Sequence, residues 1–166
     1  MRKTGPRQSR RARIAAASGL LTTAEVARRC GTVKVGNRRI AVTAAAVDAL
    51  SLETEWHHSG WAWKETNYYD PADLPVIRHY ARWATIAMNI PNPYHTEPNL
   101  PPCPHPKAAH PRYGCFACKH RNTCPRYAAV NRAFQQQRKA DAFEEKRKRV
   151  INRIAYRAID KRSPSL

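Results

Sequence analysis

Residues 20–42 read Leu20-Leu21-Thr22-Thr23-Ala24-Glu25-Val26-Ala27-Arg28-Arg29-Cys30-Gly31-Thr32-Val33-Lys34-Val35-Gly36-Asn37-Arg38-Arg39-Ile40-Ala41-Val42. Thr22, with Glu25 three residues on, is a capping box: each side chain accepts a backbone N–H that the first helical turn leaves unpaired. Gly31 is a natural helix stop, because the residue after a helix commonly turns left-handed. The two signals bracket a helix of about two turns. Beyond it, Val33-Lys34-Val35 and Ile40-Ala41-Val42 alternate around Gly36-Asn37, which predicts a hairpin with Arg38 and Arg39 at its tip. Thr43 then caps a short Ala-rich helix ending near Leu50.

This helix–hairpin–helix stretch, residues 20–50, resembles the winged-helix modules of MerR-type regulators and phage excisionases. The resemblance is carried by the opening "LTTAEVARRCG" and by "KVGNRRIAV" followed by the Ala-rich helix. It implies DNA contact through the wing at Lys34, Arg38 and Arg39. In that family a second helix between the two pieces enters the major groove, whereas here only Thr32 separates Gly31 from the hairpin. A plain αββα corner with solvated arginines is the competing account of the same residues.

Residues 55–69 alternate on both sides of Ser59-Gly60, which predicts a second hairpin with Trp61 and Trp63 on one face. Asp70-Pro71 is a cap followed by proline at the first helical position. The helix it opens should run to about Asn89, with Ile77, Tyr80, Ala84 and Met88 forming one apolar stripe. Pro91 and Pro93 end it. Nine of the thirteen prolines lie between Pro91 and Pro125, so that stretch must be extended or looped. After Pro125 neither Gly nor Pro recurs until Pro164, and Arg126 to Lys161 can form one helix of about 54 Å. Its apolar residues Val130, Phe134, Phe143, Val150, Ile154 and Ala158 are too sparse for a full core stripe. Glu144 and Glu145, four residues ahead of Lys148 and Arg149, support an exposed helix.

The fold expected is therefore α+β, in five pieces. A disordered basic arm spans 1–19 and a winged-helix-like module 20–50. An aromatic hairpin-and-helix core spans 51–90, a Pro-rich metal-binding knot 91–125, and a basic C-terminal helix 126–166.

Charge follows the same division. The formal net charge is +18. Residues 1–39 carry eleven Lys/Arg against Glu25 alone, a net of +10; residues 40–102 net −4; residues 103–166 net +12. All four tryptophans, at 56, 61, 63 and 83, fall in the acidic-leaning middle, which reads as the packed core between two basic arms. Charge of this size speaks about partners rather than fold, and a polyanion is the natural one. The expected contacts are Arg10, Arg11 and Arg13 in the arm, Lys34, Arg38 and Arg39 in the wing, and Lys146, Arg147, Arg149 and Arg153 in the C-terminal helix. DNA is favoured over RNA, and a protein partner in a transcription or recombination complex is compatible with either. A membrane is not the expected partner: no stretch approaches the roughly 20 apolar residues of a spanning helix. Ser9-Arg10-Arg11 before the apolar run Ile14 to Leu21 has some features of a targeting signal, but the run is short and merges into the capping box. The expected location is the cytoplasm, at the nucleoid.

Five cysteines occur, at 30, 103, 115, 118 and 124. Cys30 falls within the first helix and reads as a small buried apolar residue. The other four, with the spacing C-x11-C-x2-C-x5-C, read as a metal site. A Cys-x-x-Cys turn puts two thiolates on one ion, and two more complete a tetrahedron. His105, His110 and His120 share the segment and could replace a thiolate. A disulfide framework is the rival and suits an oxidising compartment. Zinc is the favoured metal, with a 4Fe–4S cluster as the alternative, since both accept tetrahedral sulfur. The piece Cys115-Phe-Ala-Cys118-Lys-His-Arg-Asn-Thr-Cys124-Pro-Arg-Tyr-Ala, residues 115–128, resembles the cluster segment of WhiB-like regulators, which implies iron–sulfur chemistry and transcription regulation. That family's Gly-Trp-Gly-type turn does not follow here. Nucleases of the RecB type share the cysteine spacing, but no Glu-x-Lys precedes Cys103 as their catalytic set requires.

His57 and His58 raise the question of a metal-dependent nuclease. Adjacent residues on a strand point to opposite faces, so both cannot ligate one ion without a bulge. No Gly-rich phosphate loop or nucleophile elbow is present. The function expected is non-enzymatic: a DNA-binding regulator, or a recombination or excision accessory factor of a phage or mobile element. A ribonucleoprotein structural component is the alternative.

Overall fold

A computed structural model describes residues 10–58, 65–95, 97–104, 106 and 115–162; for 10–12, 14, 55–58, 65 and 66 the description is of the backbone. The fold is α+β, mixing helices with two small antiparallel sheets. The chain divides into two compact units: Met1–Ile90 with Arg147–Leu166, and Pro91–Lys146.

The first unit begins with helix α1, Arg10–Ala17. This segment was expected to be part of a disordered arm, but Ala15 is buried and its carbonyl accepts the Leu20 N–H at 2.8 Å. Residues 1–9 of that arm lie outside the described residues. Strand β1, Leu21–Thr22, leads into α2, Thr23–Cys30. The capping box forms as the sequence predicts. The Thr22 hydroxyl accepts the Glu25 N–H at 3.3 Å, and the Glu25 carboxylate accepts the Thr22 N–H at 3.0 Å. The Thr22 backbone N–H foremost, and the Thr22 hydroxyl donating to the same carboxylate at 2.9 Å, hold the Glu25 carboxyl below its ordinary value. Gly31, at φ +75°, ends the helix. Strands β2, Thr32–Val35, and β3, Arg38–Ala41, follow at once, joined by Gly36-Asn37. Gly36 takes φ +58° and Asn37 does not turn positive, the pattern of a type II′ turn. Helix α3, Ala44–Asp48, is capped by the Thr43 hydroxyl at 3.2 Å.

Strands β4, Glu55–His58, and β5, Glu65–Tyr69, form the second hairpin. The described ladder ends with His58 opposite Glu65, and the turn expected at Ser59-Gly60 falls in the connection between them, residues 59–64. That connection, with Trp61 and Trp63, lies outside the described residues. Sheet order is β1-β5-β4, all antiparallel, with Leu21 opposite Tyr69 and Thr22 opposite Tyr68. Asp70 caps a short 3₁₀ turn, Pro71–Asp73, which runs into α4, Leu74–Met88. The apolar stripe expected of α4 is present: Ile77 and Ala84 are buried, and Tyr80 and Met88 pack against the same core.

That core corrects the expected boundary at residue 50. It joins Val26 and Cys30 of α2, Val47 of α3, Leu50, Leu52, Tyr69 of β5, and Ile77, Ala81 and Ala84 of α4. Each fully buried aliphatic side chain stabilises by roughly 1.5–3 kcal/mol, so dividing residues 20–50 from 51–90 would expose both halves. Tyr68 and Tyr69 are adjacent on the central strand and both buried, which requires cover on both faces of the sheet. The Tyr69 hydroxyl donates to Asp48 Oδ1 at 2.5 Å, and the same oxygen accepts from Thr23 Oγ1 and Asn67 Nδ2, each at 3.2 Å. Burial, then Asp48, pushes the Tyr69 phenol far above its ordinary value. Of the four tryptophans expected in the core, only Trp83 has its side chain within the described residues. Trp83 is 54% exposed, and the buried set is aliphatic and tyrosine.

Helix α5 spans Pro125–Lys161, matching the expected start and end within a residue. Its last turns are not a solvated extension. Ala158 is fully buried in the first unit's core with Ile154 packed beside it. One Arg162 nitrogen stands 2.9 Å from Asp73 Oδ2 and donates to Thr54 Oγ1 at 2.9 Å.

In the second unit the Pro-rich chain runs back along α5. Asn92 Nδ2 donates to the Ala140 carbonyl at 3.1 Å and Glu144 Oε1 at 2.9 Å, while Arg126 donates to the Pro101 carbonyl at 2.6 Å. Nine extended residues span at most about 30 Å, and fourteen helical ones rise about 21 Å. An extended antiparallel course therefore fits both anchors, and it is the course proline favours.

Candidate nucleic-acid interface and cysteine segment

The expected basic contacts fall on three elements. Arg10, Arg11 and Arg13 lie on α1; only the side chain of Arg13 is described, and it is exposed. In the wing, Lys34, Arg38 and Arg39 are all exposed, but they do not share one face. Lys34 stands directly opposite Arg39 across the antiparallel ladder, while Arg38 pairs with Val35 on the other side, in line with Val33 and Ile40. Like charges directly opposed on a sheet repel. At 4 Å two unit charges interact by about 1 kcal/mol even in water. No helix intervenes between α2 and this hairpin, since Thr32 already begins β2 and the Val42 N–H closes onto the Gly31 carbonyl at 2.9 Å.

On α5 the expected residues separate. Lys146, in the second unit, is exposed, as are Arg149 and Arg153 in the first. Arg157, which sequence reasoning did not single out, is exposed four residues beyond Arg153. Arg149, Arg153 and Arg157 thus form an i, i+4, i+8 row, roughly a third of a turn around the helix from the face on which Ile154 and Ala158 enter the core. The repeated spacing of four was the available signal. Arg147 does not join the row. It is half-buried, and its guanidinium donates to the Ile90 carbonyl, two residues past the end of α4.

The cysteine segment is local to the second unit. Cys115–Ala117 forms a 3₁₀ turn, and the Cys118 N–H donates to the Cys115 carbonyl at 3.3 Å. A second tight turn follows, with the Thr123 N–H on the His120 carbonyl at 3.2 Å, and Cys124 sits directly before α5. Cys118 and Cys124 are buried, whereas Cys103 and Cys115 are half-buried. The turn across Cys115 and Cys118 fits a pair of thiolate ligands, and sulfur is the donor that zinc and iron–sulfur clusters take. Among the described residues, however, no three Cys, His, Asp or Glu side chains stand together as a metal site. His105 and His110 lie outside the described residues. Cys30 is buried in the first unit's core, where burial pushes its thiol up, against the opposing influence of Arg78 and Arg82. His57 and His58 lie on β4 opposite Thr66 and Glu65.

One cluster on the second unit was missed as a group. Phe116 packs edge-to-face on Tyr127, with centroids 5.9 Å apart, and on Phe134 at 5.8 Å. The seven-residue interval between Tyr127 and Phe134 puts them on one helix face, but nothing in sequence ties Phe116 to that face. No helix among the described residues is long and apolar enough to cross a membrane. No family model, curated protein or solved structure matches the chain.

Proposed function

We propose that this chain is a non-enzymatic nucleic-acid-binding protein that grips duplex DNA, as a regulator or as a recombination or excision accessory factor of a phage or mobile element. The observation that carries the reading is the wing, where Lys34 and Arg39 are held in direct opposition and both exposed. A phosphate between two opposed cations turns a repulsion into two charge-assisted contacts. The Arg149, Arg153 and Arg157 row on α5 supplies a second polyanion surface, and the +18 net charge favours association with any nucleic acid. The reading also includes a metal, zinc before a 4Fe–4S cluster, taken by Cys103, Cys115, Cys118 and Cys124. Its role is to fix the Pro-rich chain at the start of α5. Ligands that converge only on binding are usual for small metal knots, whose binding energy is folding energy. Such a protein works at the bacterial nucleoid, with its partners in a transcription or recombination complex.

The test is duplex affinity measured across salt concentrations. Each neutralised phosphate contributes about −0.9 to the slope of log affinity against log salt, so a slope of roughly −4 or steeper is expected. Salt-independent binding, or none, overturns the reading. Tighter binding to a structured RNA at equal salt replaces DNA with RNA as the target.

A further inference from the structure

Two phenylalanines of the aromatic cluster remain half in water: Phe116 is 42% exposed and Phe134 49%. Burying such side chains is favourable, and here much of that gain is forgone twice on one patch. The surrounding charge is one-sided. Residues 98–140 contain eight Lys/Arg and no Asp or Glu. Arg121 donates to the Phe116 carbonyl at 3.4 Å, which anchors a cation beside that ring's own residue. Lys119 and Arg138 are exposed, and Arg138 follows Phe134 by four residues on the same helix face. Every element of this patch belongs to the second unit.

Exposed rings among mostly cationic side chains, with Asp141 the first acid along α5 beyond Phe134, suit an unpaired strand. Bases stack on the rings while phosphates meet the cations, and every base has a face to offer. In a duplex those faces are already stacked on one another. We propose that Phe116 and Phe134, backed by Tyr127, form a base-stacking platform for single-stranded DNA, with Lys119, Arg121 and Arg138 on its phosphates. The proposal rests on the nucleic-acid reading above and adds strandedness to it. A protein that grips duplex through its basic surfaces meets the unpaired strand of that same DNA wherever the duplex opens.

The competing role for the trio is to pin the Cys115–Ala117 turn to α5. Leucine could serve as a pin, but it offers no ring for stacking. The experiment uses the full chain and fluorescence anisotropy at one salt concentration, with labelled oligo-dT, oligo-U of equal length, and a duplex of that length. Phe134→Leu is expected to weaken oligo-dT binding about ten-fold, Phe134→Trp to restore or strengthen it, and both to leave duplex affinity within about two-fold. Phe116→Leu should follow Phe134→Leu; because Phe134 lies on an exposed helix face, the Phe134 pair decides the matter if the Phe116 variant misfolds. Equal losses for oligo-dT and duplex, or unchanged oligo-dT binding in Phe134→Leu, overturn the platform. A preference for oligo-U overturns the choice of DNA. Duplex binding without oligo-dT binding sinks this inference alone, whereas oligo-dT binding without duplex binding sinks only the duplex reading. Binding to neither sinks both.

Discussion

Thr22 and Glu25 show how much two side chains three residues apart can do. They satisfy each other's backbone donors at the start of α2, the helix that delivers Val26 and Cys30 to the core. Thr22→Ala should cost about 1 kcal/mol, the usual value of a lost cap, seen as a lower urea midpoint with unchanged slope. The pH dependence has a definite sign. The Glu25 carboxyl is held low in the fold, mainly by the Thr22 backbone N–H, so its contribution is fully present above the unfolded value of about 4.3. It is lost as pH falls through the folded value. Glu25→Gln should therefore narrow the stability gap to wild type on acidification, and a gap that widens below pH ~4 contradicts the assignment. Arg147 and Arg149 make the complementary point, because two like side chains two residues apart serve different ends. One donates to the Ile90 carbonyl; the other is exposed.

The wing and α5 each present their cations as a set fixed by the element that carries them. If the β2–β3 hairpin binds phosphate through its opposed pair, Lys34→Ala with Arg39→Ala should flatten the salt slope by up to about 1.8. The same double variant should leave thermal stability unchanged or slightly raised, because a like-charge opposition is removed. A slope that does not move removes the wing from the interface. On α5, Arg149→Ala, Arg153→Ala and Arg157→Ala together should lower duplex affinity and flatten the slope by up to about 2.7, with the melting temperature near wild type. Arg147→Ala should do the reverse: a lower melting temperature with little change in slope, since its guanidinium is committed to Ile90. Loss of slope in Arg147→Ala alone contradicts that division of labour.

Across the chain, the two compact units are stabilised by different means. The first has an aliphatic and tyrosine core built from α2, α3, β5, α4 and the last turns of α5. The second is a Pro-rich strand laid along α5 with few buried side chains, the situation in which a metal contributes most. Anaerobically purified protein should carry one zinc, or iron and sulfide, per chain. Chelation should increase proteolysis within residues 91–146 while the far-UV helical signal of the first unit persists. Metal-free protein with full protection of that segment counts against the ligand set Cys103, Cys115, Cys118 and Cys124.

Features that depend on neighbours within about four residues are legible in the chain directly. These are the capping box at Thr22, the stop at Gly31, the Gly36-Asn37 turn, the Asp70-Pro71 start, the stripe on α4 and the uninterrupted run of α5. Such signals are legible because the hydrogen bonds they satisfy close locally. Tertiary structure alone decided that β1 pairs with β5, that Leu50 and Ile77 share one core, and that Ala158 returns to it from more than seventy residues away. It also separated Arg147 from Arg149, left Trp83 in water, and set Phe116 against Phe134. Each of these turns on which distant surface a side chain meets, and composition and periodicity carry no record of that. The cysteine spacing lies between the two: its local turn is written in C-x2-C, but where Cys103 stands relative to that turn depends on the course of the Pro-rich chain before it.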